Sequence, residues 1–147
     1  MPHEPGAPAP SQGAALDAVT ARLARLPALL EANAPLMERG RFLTVDCLLG
    51  TPARPFHTRI VEGRITAMES GPRLMASWRF AYRASPEAFL EFWKPLPRAG
   101  SHDLLALTKS GAASLEGDLH PFIANLQYFK DLLALPRSAA QPSKEPA

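Results

Sequence analysis

Residues that commonly catalyse reactions are scarce in this sequence of 147 residues, which contains one cysteine and four histidines. A nucleophilic site would combine Cys47 with His57 or His102 and with Asp103, because an imidazole can take the thiol proton while a carboxylate orients the ring. Cys47, however, alternates with leucine and valine along a strand-like segment, and a buried cysteine behaves as a small, inert apolar side chain. We therefore predict that Cys47 packs in the core.

A metal site is the second chemistry that these residue types suggest. His102, Asp103, Asp118 and His120 are of ligand-forming types, but their spacing matches no recognised metal motif. Residues at these places more simply cap the starts of two helices. A single cysteine also excludes a disulfide within the chain and a thiolate zinc site, and the sequence has no Gly-rich phosphate loop. We predict no catalytic residue, no metal and no cofactor, in a protein that is not an enzyme.

Positive charge is concentrated in the middle of the chain, where six arginines are opposed by only Glu62 and Glu69. We expect Arg59, Arg79 and Arg83 on a solvated sheet face with partial ion pairing. The alternative is that they contact an anionic headgroup, coenzyme phosphates, a membrane surface or a partner protein. This moderate positive bias falls short of a nucleic-acid-binding composition, in which lysine clusters and interleaved exposed aromatics are expected, so we predict no nucleic-acid partner. The six are Arg54, Arg59, Arg64, Arg73, Arg79 and Arg83.

Period-two alternation of apolar and polar residues predicts the strands that must position these groups. Glu62 and Gly63 fit a two-residue hairpin turn, because glycine adopts positive φ without steric cost. The clearest strand places Trp78, Phe80 and Tyr82 on one face and arginines on the other, as in an antiparallel sheet covered on one side. The predicted strands are 42–49, 55–61, 64–69, 74–83 and 112–116.

Helical spacing predicts the remaining elements. Apolar residues at intervals of three and four, from Leu16 to Leu26, indicate an amphipathic helix that kinks or restarts at Pro27. Capping residues indicate three later helices. Ser85, followed by proline, begins the first; Ser101 with Asp103 begins the second; Asp118 begins a long third helix, which we expect Pro136 to end.

The element order is helix, four strands, two helices, strand and helix, which indicates an α+β fold with a mainly antiparallel sheet. Residues 1–13 and 138–147 are rich in proline and poor in large apolar residues, so we predict flexible tails on either side of one domain, 14–137. No apolar run reaches the roughly 18 residues that span a membrane. The N-terminus lacks the pattern of a secretory signal, so we expect a cytoplasmic protein.

Large apolar side chains are plentiful on the predicted strands and helices. The simplest explanation is that they fill a core. The alternative is that the helices stand off the sheet and leave an apolar tunnel of lipid size. The sequence pattern is compatible with both.

The C-terminal third resembles a known family. Residues 102–111, a short Leu-rich helix ending in Lys-Ser-Gly, precede 113–119, Ala-Ser-Leu-Glu-Gly-Asp-Leu. This arrangement is similar to the sterol carrier protein-2 sterol-binding domain family, and the resemblance extends in pattern over 29–135. It implies a five-stranded sheet, covered on one face by helices, that encloses an apolar cavity. Members bind sterols, fatty acids, fatty acyl-CoA or other lipids, and the domain itself does no chemistry.

We therefore predict non-enzymatic binding or carriage of a hydrophobic ligand: a sterol, a fatty acid, a fatty acyl-CoA or a quinone-like lipid. The alternative is an accessory or scaffold module that acts through the Arg-bearing sheet face, with a protein partner or transient membrane contact. The predicted ligand-binding residues are Trp78, Phe80, Phe89, Phe92, Trp93, Leu104, Leu107, Phe122, Leu126 and Phe129.

Overall fold

The computed structural model describes residues 10–70, 77–101 and 103–140, and within these the chain forms seven helices and five strands. The helices are α1 (Pro10–Leu23), α2 (Leu26–Glu31), α3 (Ala34–Arg39), α4 (Pro86–Phe92), α5 (Leu104–Lys109), α6 (His120–Ala124) and α7 (Leu126–Ala140). The strands are β1 (Val45–Gly50), β2 (Pro55–Val61), β3 (Arg64–Ser70), β4 (Phe80–Ala84) and β5 (Ala113–Gly117). None of the described helices is both long and apolar enough to cross a membrane.

All five strands belong to one sheet, in the order β3-β2-β1-β4-β5. Three of the pairings are antiparallel, and β1 pairs with β4 in parallel. The predicted α+β fold with a mainly antiparallel, five-stranded sheet is confirmed, and the sheet is mixed. The parallel pair arises because the chain leaves β3 at one edge of the sheet and re-enters beyond β1, running in the same direction as β1.

The hairpin between β2 and β3 forms at the predicted residues. Glu62 has φ 51° and Gly63 has φ 82°, and two positive φ values match the twist of the flanking strands. A Cβ atom at Gly63 would lie 2.6 Å from the Met37 carbonyl oxygen, so this position requires glycine for space as well as for conformation. The Tyr128 hydroxyl donates a hydrogen bond of 2.8 Å to the Gly63 carbonyl and ties the turn to α7.

The predicted strand 74–83 is shorter in the structure. Strand β4 begins at Phe80, residues 77–79 are not part of the sheet ladder, and 74–76 lie outside the described residues. Its pairing with β1 starts at Cys47 opposite Phe80. Trp78 therefore does not lie on a strand face with Phe80 and Tyr82, as the sequence pattern predicted.

The N-terminal helical region divides into three helices. Helix α1 begins at Pro10, so it includes part of the predicted tail 1–13. The chain restarts as α2 with Pro27 in its first turn, where the missing N–H of proline costs nothing. Asn33 caps α3, which the sequence pattern did not predict, by accepting a hydrogen bond of 3.1 Å from the Leu36 amide.

The predicted last helix is interrupted at Asn125, which separates α6 from α7. Pro136 lies inside α7, which continues to Ala140, so the prediction that Pro136 ends the helix is wrong. The next residue helps hold α7 against α4, because Arg137 donates to the Phe92 carbonyl of α4. Residues 1–9 and 141–147 of the predicted tails lie outside the described residues.

The core lies between the helices and one face of the sheet, here called the inner face. Val45, Cys47 and Leu49 of β1 point into this core and are buried. The opposite, outer face carries Asp46 and Arg59, which are partly or fully exposed. The helices thus cover one face, as the family resemblance implied.

Candidate functional site

An interlocking group of aromatic rings occupies the centre of the core. Phe80 of β4 contacts Phe122 of α6 and Phe129 of α7 edge-on, with ring centroids 5.4 and 5.3 Å apart. Tyr82 stacks on Phe122 at 5.5 Å. These distances are the preferred ones for aromatic pairs, so the rings contact one another directly and hold α6 and α7 against the sheet.

Two buried tyrosines anchor this group by their hydroxyls. Tyr82 donates to the Leu104 carbonyl at 2.8 Å, and Tyr128 donates to the turn at Gly63. Burial raises the pKa of both phenols above their usual range. Both side chains therefore act as neutral donors that satisfy buried carbonyls.

The aromatic side of α4 continues the group toward α1 and α7. Phe89 and Trp93 lie 5.2 Å apart, and the Trp93 indole donates to the Leu133 carbonyl at 2.7 Å. The Arg22 guanidinium lies 5.4 Å from the Trp93 ring centroid. These contacts fix α4 between its two neighbouring helices.

The structure brings nine of the ten predicted ligand-binding residues together. Eight are buried in one apolar cluster, and Leu126 packs against it partly buried. Trp78 lies apart: it is partly exposed, with its ring 5.9 Å from the Arg83 guanidinium, which belongs to the outer face. Because the clustered rings touch, a ligand among them stays a prediction. The eight are Phe80, Phe89, Phe92, Trp93, Leu104, Leu107, Phe122 and Phe129.

An open space lies on the other side of α4. A cleft of about 580 Å³ separates α4 from α5 and is here called the α4–α5 cleft. Of the predicted residues, Leu107 lines it. The other side chains of its walls are mostly small or polar, so the aromatic pattern gave no sign of it. They include Ala88, Glu91, Arg98, Ala106, Lys109 and Ala112.

Glu91 organises residues 94–101, here called the strap, of which residues 98–101 line this cleft. The Glu91 side chain is only 9% exposed and accepts from the Lys94 ammonium at 2.8 Å and from the Arg98 amide at 2.8 Å. The hydrogen bond from Lys94, followed by that from Arg98, holds the pKa of the Glu91 carboxyl below its usual range. Sequence reasoning missed Glu91. The only sequence feature that could have indicated its role is Lys94, three residues later, with which it forms an ion pair.

The three arginines predicted for the outer face all have acidic partners. Arg59 contacts Asp46 through two hydrogen bonds of 3.0 and 3.2 Å. Arg83 of β4 pairs with Glu116 at 2.6 Å. Arg79, the residue before β4, pairs with Asp118 at 3.3 Å. The predicted ion pairing is confirmed, and an anion at this face would have to compete with these carboxylates.

The residues of the alternative nucleophilic scheme that the structure describes do not meet. Cys47 is 1% exposed on the inner face, and burial raises the pKa of its thiol far above the usual range, so the packing prediction is confirmed. His57 pairs in register with Leu48, which places it on the outer face. Asp103 caps α5 by accepting from the Leu105 amide at 3.0 Å, and His102 lies outside the described residues.

Of the residues weighed as metal ligands, Asp103 caps α5 and Asp118 lies just before α6. Asp118 accepts from the His120 amide at 3.2 Å and pairs with Arg79. Among the described residues, no three His, Cys, Asp or Glu side chains converge on a point where a metal ion could bind.

Comparison with known proteins yields structural likeness without sequence likeness. No family model matches the sequence, and no curated protein matches it. The structure is similar to a conserved hypothetical protein from Thermus thermophilus whose name suggests a sterol carrier protein. That similarity has a TM-score of 0.56 at 15% identity, covering 85% of this chain and 91% of the other. The chain therefore has the α+β fold of that protein.

A second solved structure has lower similarity. It is named UbiJ-SCP2 ubiquinone synthesis protein, with a TM-score of 0.48 and 15% identity over 86% of this chain and 97% of the other.

Proposed function

We propose that this protein binds or carries a hydrophobic ligand of the lipid class and does no chemistry of its own. One observation carries the proposal. The cluster between the helices and the inner face consists of apolar side chains, two neutral phenols and a protonated thiol. Such an interior is suited to apolar molecules and offers no ionised group for acid–base catalysis.

The similarity of the fold to that of another protein supports the same proposal. The Thermus protein that shares it carries a name that suggests a sterol carrier. Sterols, fatty acids, fatty acyl-CoA and quinone-like lipids all present a long apolar surface. Burying each methylene of such a ligand gains about 0.8 kcal/mol before the costs of association.

The alternative, an interaction module that acts through the outer face, has weaker support. A protein partner or a membrane surface would need free charge there, whereas Arg59, Arg79 and Arg83 are already paired with carboxylates of this chain. Exposed pairs contribute little energy, so a charged partner at this face would replace one weak ion pair by another.

A displacement assay tests the proposal. The purified protein is incubated with a fluorescent fatty-acid analogue, and a sterol, a fatty acid, an acyl-CoA and a quinone are titrated against it. We expect at least one class to displace the analogue, and native mass spectrometry to detect co-purified lipid. The double variant Arg79→Ser/Arg83→Ser is the matched control and should bind as the wild type does. Folded protein that binds none of these classes would refute the proposal.

A further inference from the structure

Strand β5 lies at one edge of the sheet, and among the described strands it pairs with β4 alone. An edge strand presents unpaired backbone groups to which another strand can add, and proteins blunt such edges with bulges, prolines, lysines or a covering helix. At the opposite edge, the pairing of β3 with β2 contains a bulge, and Arg64 of β3 binds Glu31 of α2. Strand β5 pairs with β4 in unbroken register and contains neither proline nor lysine. It is the less protected edge.

Two hydrogen bonds fix the direction in which the backbone groups of β5 point. The Ala112 carbonyl accepts at 3.0 Å from the amide of the residue after β4, and the Asp118 amide donates at 2.7 Å to the carbonyl of the residue before β4. The N–H and C=O of one trans peptide unit point in opposite directions, so the Ala113 N–H and the Gly117 carbonyl point away from β4. Alternation along the strand turns the groups of Leu115 the same way. The outward N–H and C=O groups of these three residues are here called the β5 edge.

The β5 edge is complementary to a second copy of itself. In an antiparallel pair centred on Leu115, the Ala113 N–H of one copy lies opposite the Gly117 carbonyl of the other, and the two Leu115 residues face each other. The arrangement has two-fold symmetry, so every N–H of the edge lies opposite a carbonyl in both halves. Leu115 is half-buried and packs at the margin of the core, so the two side chains would also bury each other.

The outer-face side chains match in the same register. Ser114 of one copy lies directly opposite Glu116 of the second copy. Arg83 lies across from Ser114 on β4 of the same copy, so it is two strand spacings, roughly 10 Å, from that second carboxylate. The small Ser114 side chain leaves the path between them open. Arg83 already pairs with Glu116 of its own copy, and its Nε–H has no acceptor among the described residues, so the guanidinium retains a donor.

Exposed apolar side chains continue this surface beyond the strand. Leu119 closely follows β5, and Ile123 lies one helical turn further on, on the same side of α6. They are 40% and 48% exposed, and they are two of the four large apolar side chains that are exposed in the described part of the chain. Large exposed apolar side chains grouped together are typical of protein interfaces.

We propose that two copies of this chain form a dimer by antiparallel pairing of their β5 edges, which joins their two sheets into one. The proposal does not rest on the proposed function. A second copy fits better than a strand of another protein, because the register that pairs the backbone also brings Glu116 of each copy within reach of Arg83 of the other. The strand is short and the interface small, so the dimer is weak and depends on concentration.

Sedimentation equilibrium between about 1 μM and about 1 mM is the first test. The mass of the wild type should rise from that of one chain toward that of two. Ser114→Glu should weaken the dimer about tenfold, because like charges directly opposite each other are destabilising and the symmetry creates this contact twice. In the single copy, Arg83 across the strand accommodates the added carboxylate. Ser114→Gln, of equal size without the charge, should dimerise as the wild type does, and so should Thr66→Glu on the opposite edge.

Removal of one outward N–H is the second test. Proline at the first residue of an edge strand is tolerated when its missing N–H faces away from the ladder, so Ala113→Pro should keep the monomer folded. It removes one hydrogen bond from each half of the dimer and should weaken dimerisation at least tenfold. Ala113→Ser keeps the N–H and is the matched control. Circular dichroism checks that each variant is folded.

The outcomes decide the proposal in either direction. A wild-type chain that stays monomeric at every concentration would overturn it, and the β5 edge would then be open to a strand of a different protein. A dimer that folded Ala113→Pro leaves intact does not use this edge. Equal weakening by Ser114→Glu and Ser114→Gln would contradict the antiparallel register. If Ala113→Pro does not fold, the Ser114 pair alone decides, because its charge effect is measured against a variant of equal size.

Discussion

The two sides of α4 differ in the size of the side chains that they present. One side carries Phe89, Phe92 and Trp93, all at most 2% exposed and in contact with α1, α7 or each other. The other side carries Ala88 and Glu91 and borders the α4–α5 cleft. One short helix thus separates a filled core from an open space.

The difference indicates that one side of α4 contributes mainly to stability and the other mainly to ligand binding. Large side chains that interlock contribute most to the free energy of folding, because each removes much apolar surface from water. Small side chains beside a cleft contribute little stability but leave room for a ligand. Substitutions on the aromatic side should therefore change stability, and substitutions on the cleft side should change binding.

The largest expected effect is that of Phe89→Ala. Loss of this buried ring should lower the free energy of unfolding by about 3–5 kcal/mol, since the space it leaves cannot fully collapse. Urea denaturation followed by circular dichroism measures the change. Phe42→Ala is the control, because Phe42 is 88% exposed and its loss should cost less than about 0.5 kcal/mol. Equal effects at the two positions would contradict the filled core.

A smaller effect is expected from Trp93→Phe. The change removes the indole N–H that the Leu133 carbonyl accepts at 2.7 Å and should cost about 1–3 kcal/mol. The measurement is again urea denaturation. Trp78→Phe is the matched control at a partly exposed position, and we expect it to cost less than about 1 kcal/mol. A larger loss at Trp78 than at Trp93 would reverse the comparison.

The smallest effect concerns Glu91, on the cleft side. Its pKa is depressed in the folded state, so its contacts with the strap contribute fully above the unfolded pKa of about 4.3 and are lost as the pH falls through the lower folded value. The NMR shift of the Arg98 amide, which donates to Glu91, should titrate with a midpoint below about 4.3. In Glu91→Gln this titration should disappear. A midpoint above the ordinary value would contradict the assignment.

Much of the fold follows from local sequence patterns. The period-two pattern over 55–61 gave the bounds of β2, and Glu62 and Gly63 gave the turn. Ser85 caps α4 as predicted, accepting from the Ala88 amide at 3.1 Å. These features depend on residues close together in the sequence, whose conformations are set mainly by local preferences and not by distant contacts.

The errors have non-local causes. Alternation assigned Trp78 to the same face as Phe80, but the residue precedes β4 and packs beside Arg83 on the outer face. Pro136 was expected to end a helix, yet α7 continues past it, held to α4 by the bond from Arg137 to Phe92. For Pro136 the contact is with a residue distant in sequence, Phe92. The Trp78 ring also lies beside a distant residue, Gly117 of β5, where a Cβ atom would come within 3.2 Å of it.

The sequence by itself determined the α+β class, the packing role of Cys47 and the apolar interior, because hydrophobic periodicity fixes which side chains face inward. Only the tertiary structure decided where that interior is filled and where it is open. Alanine and phenylalanine follow the same periodicity, so the pattern cannot distinguish a packed helix face from one beside a cleft. The volume between α4 and α5 depends on how far apart their neighbours hold them, which is a property of the whole fold.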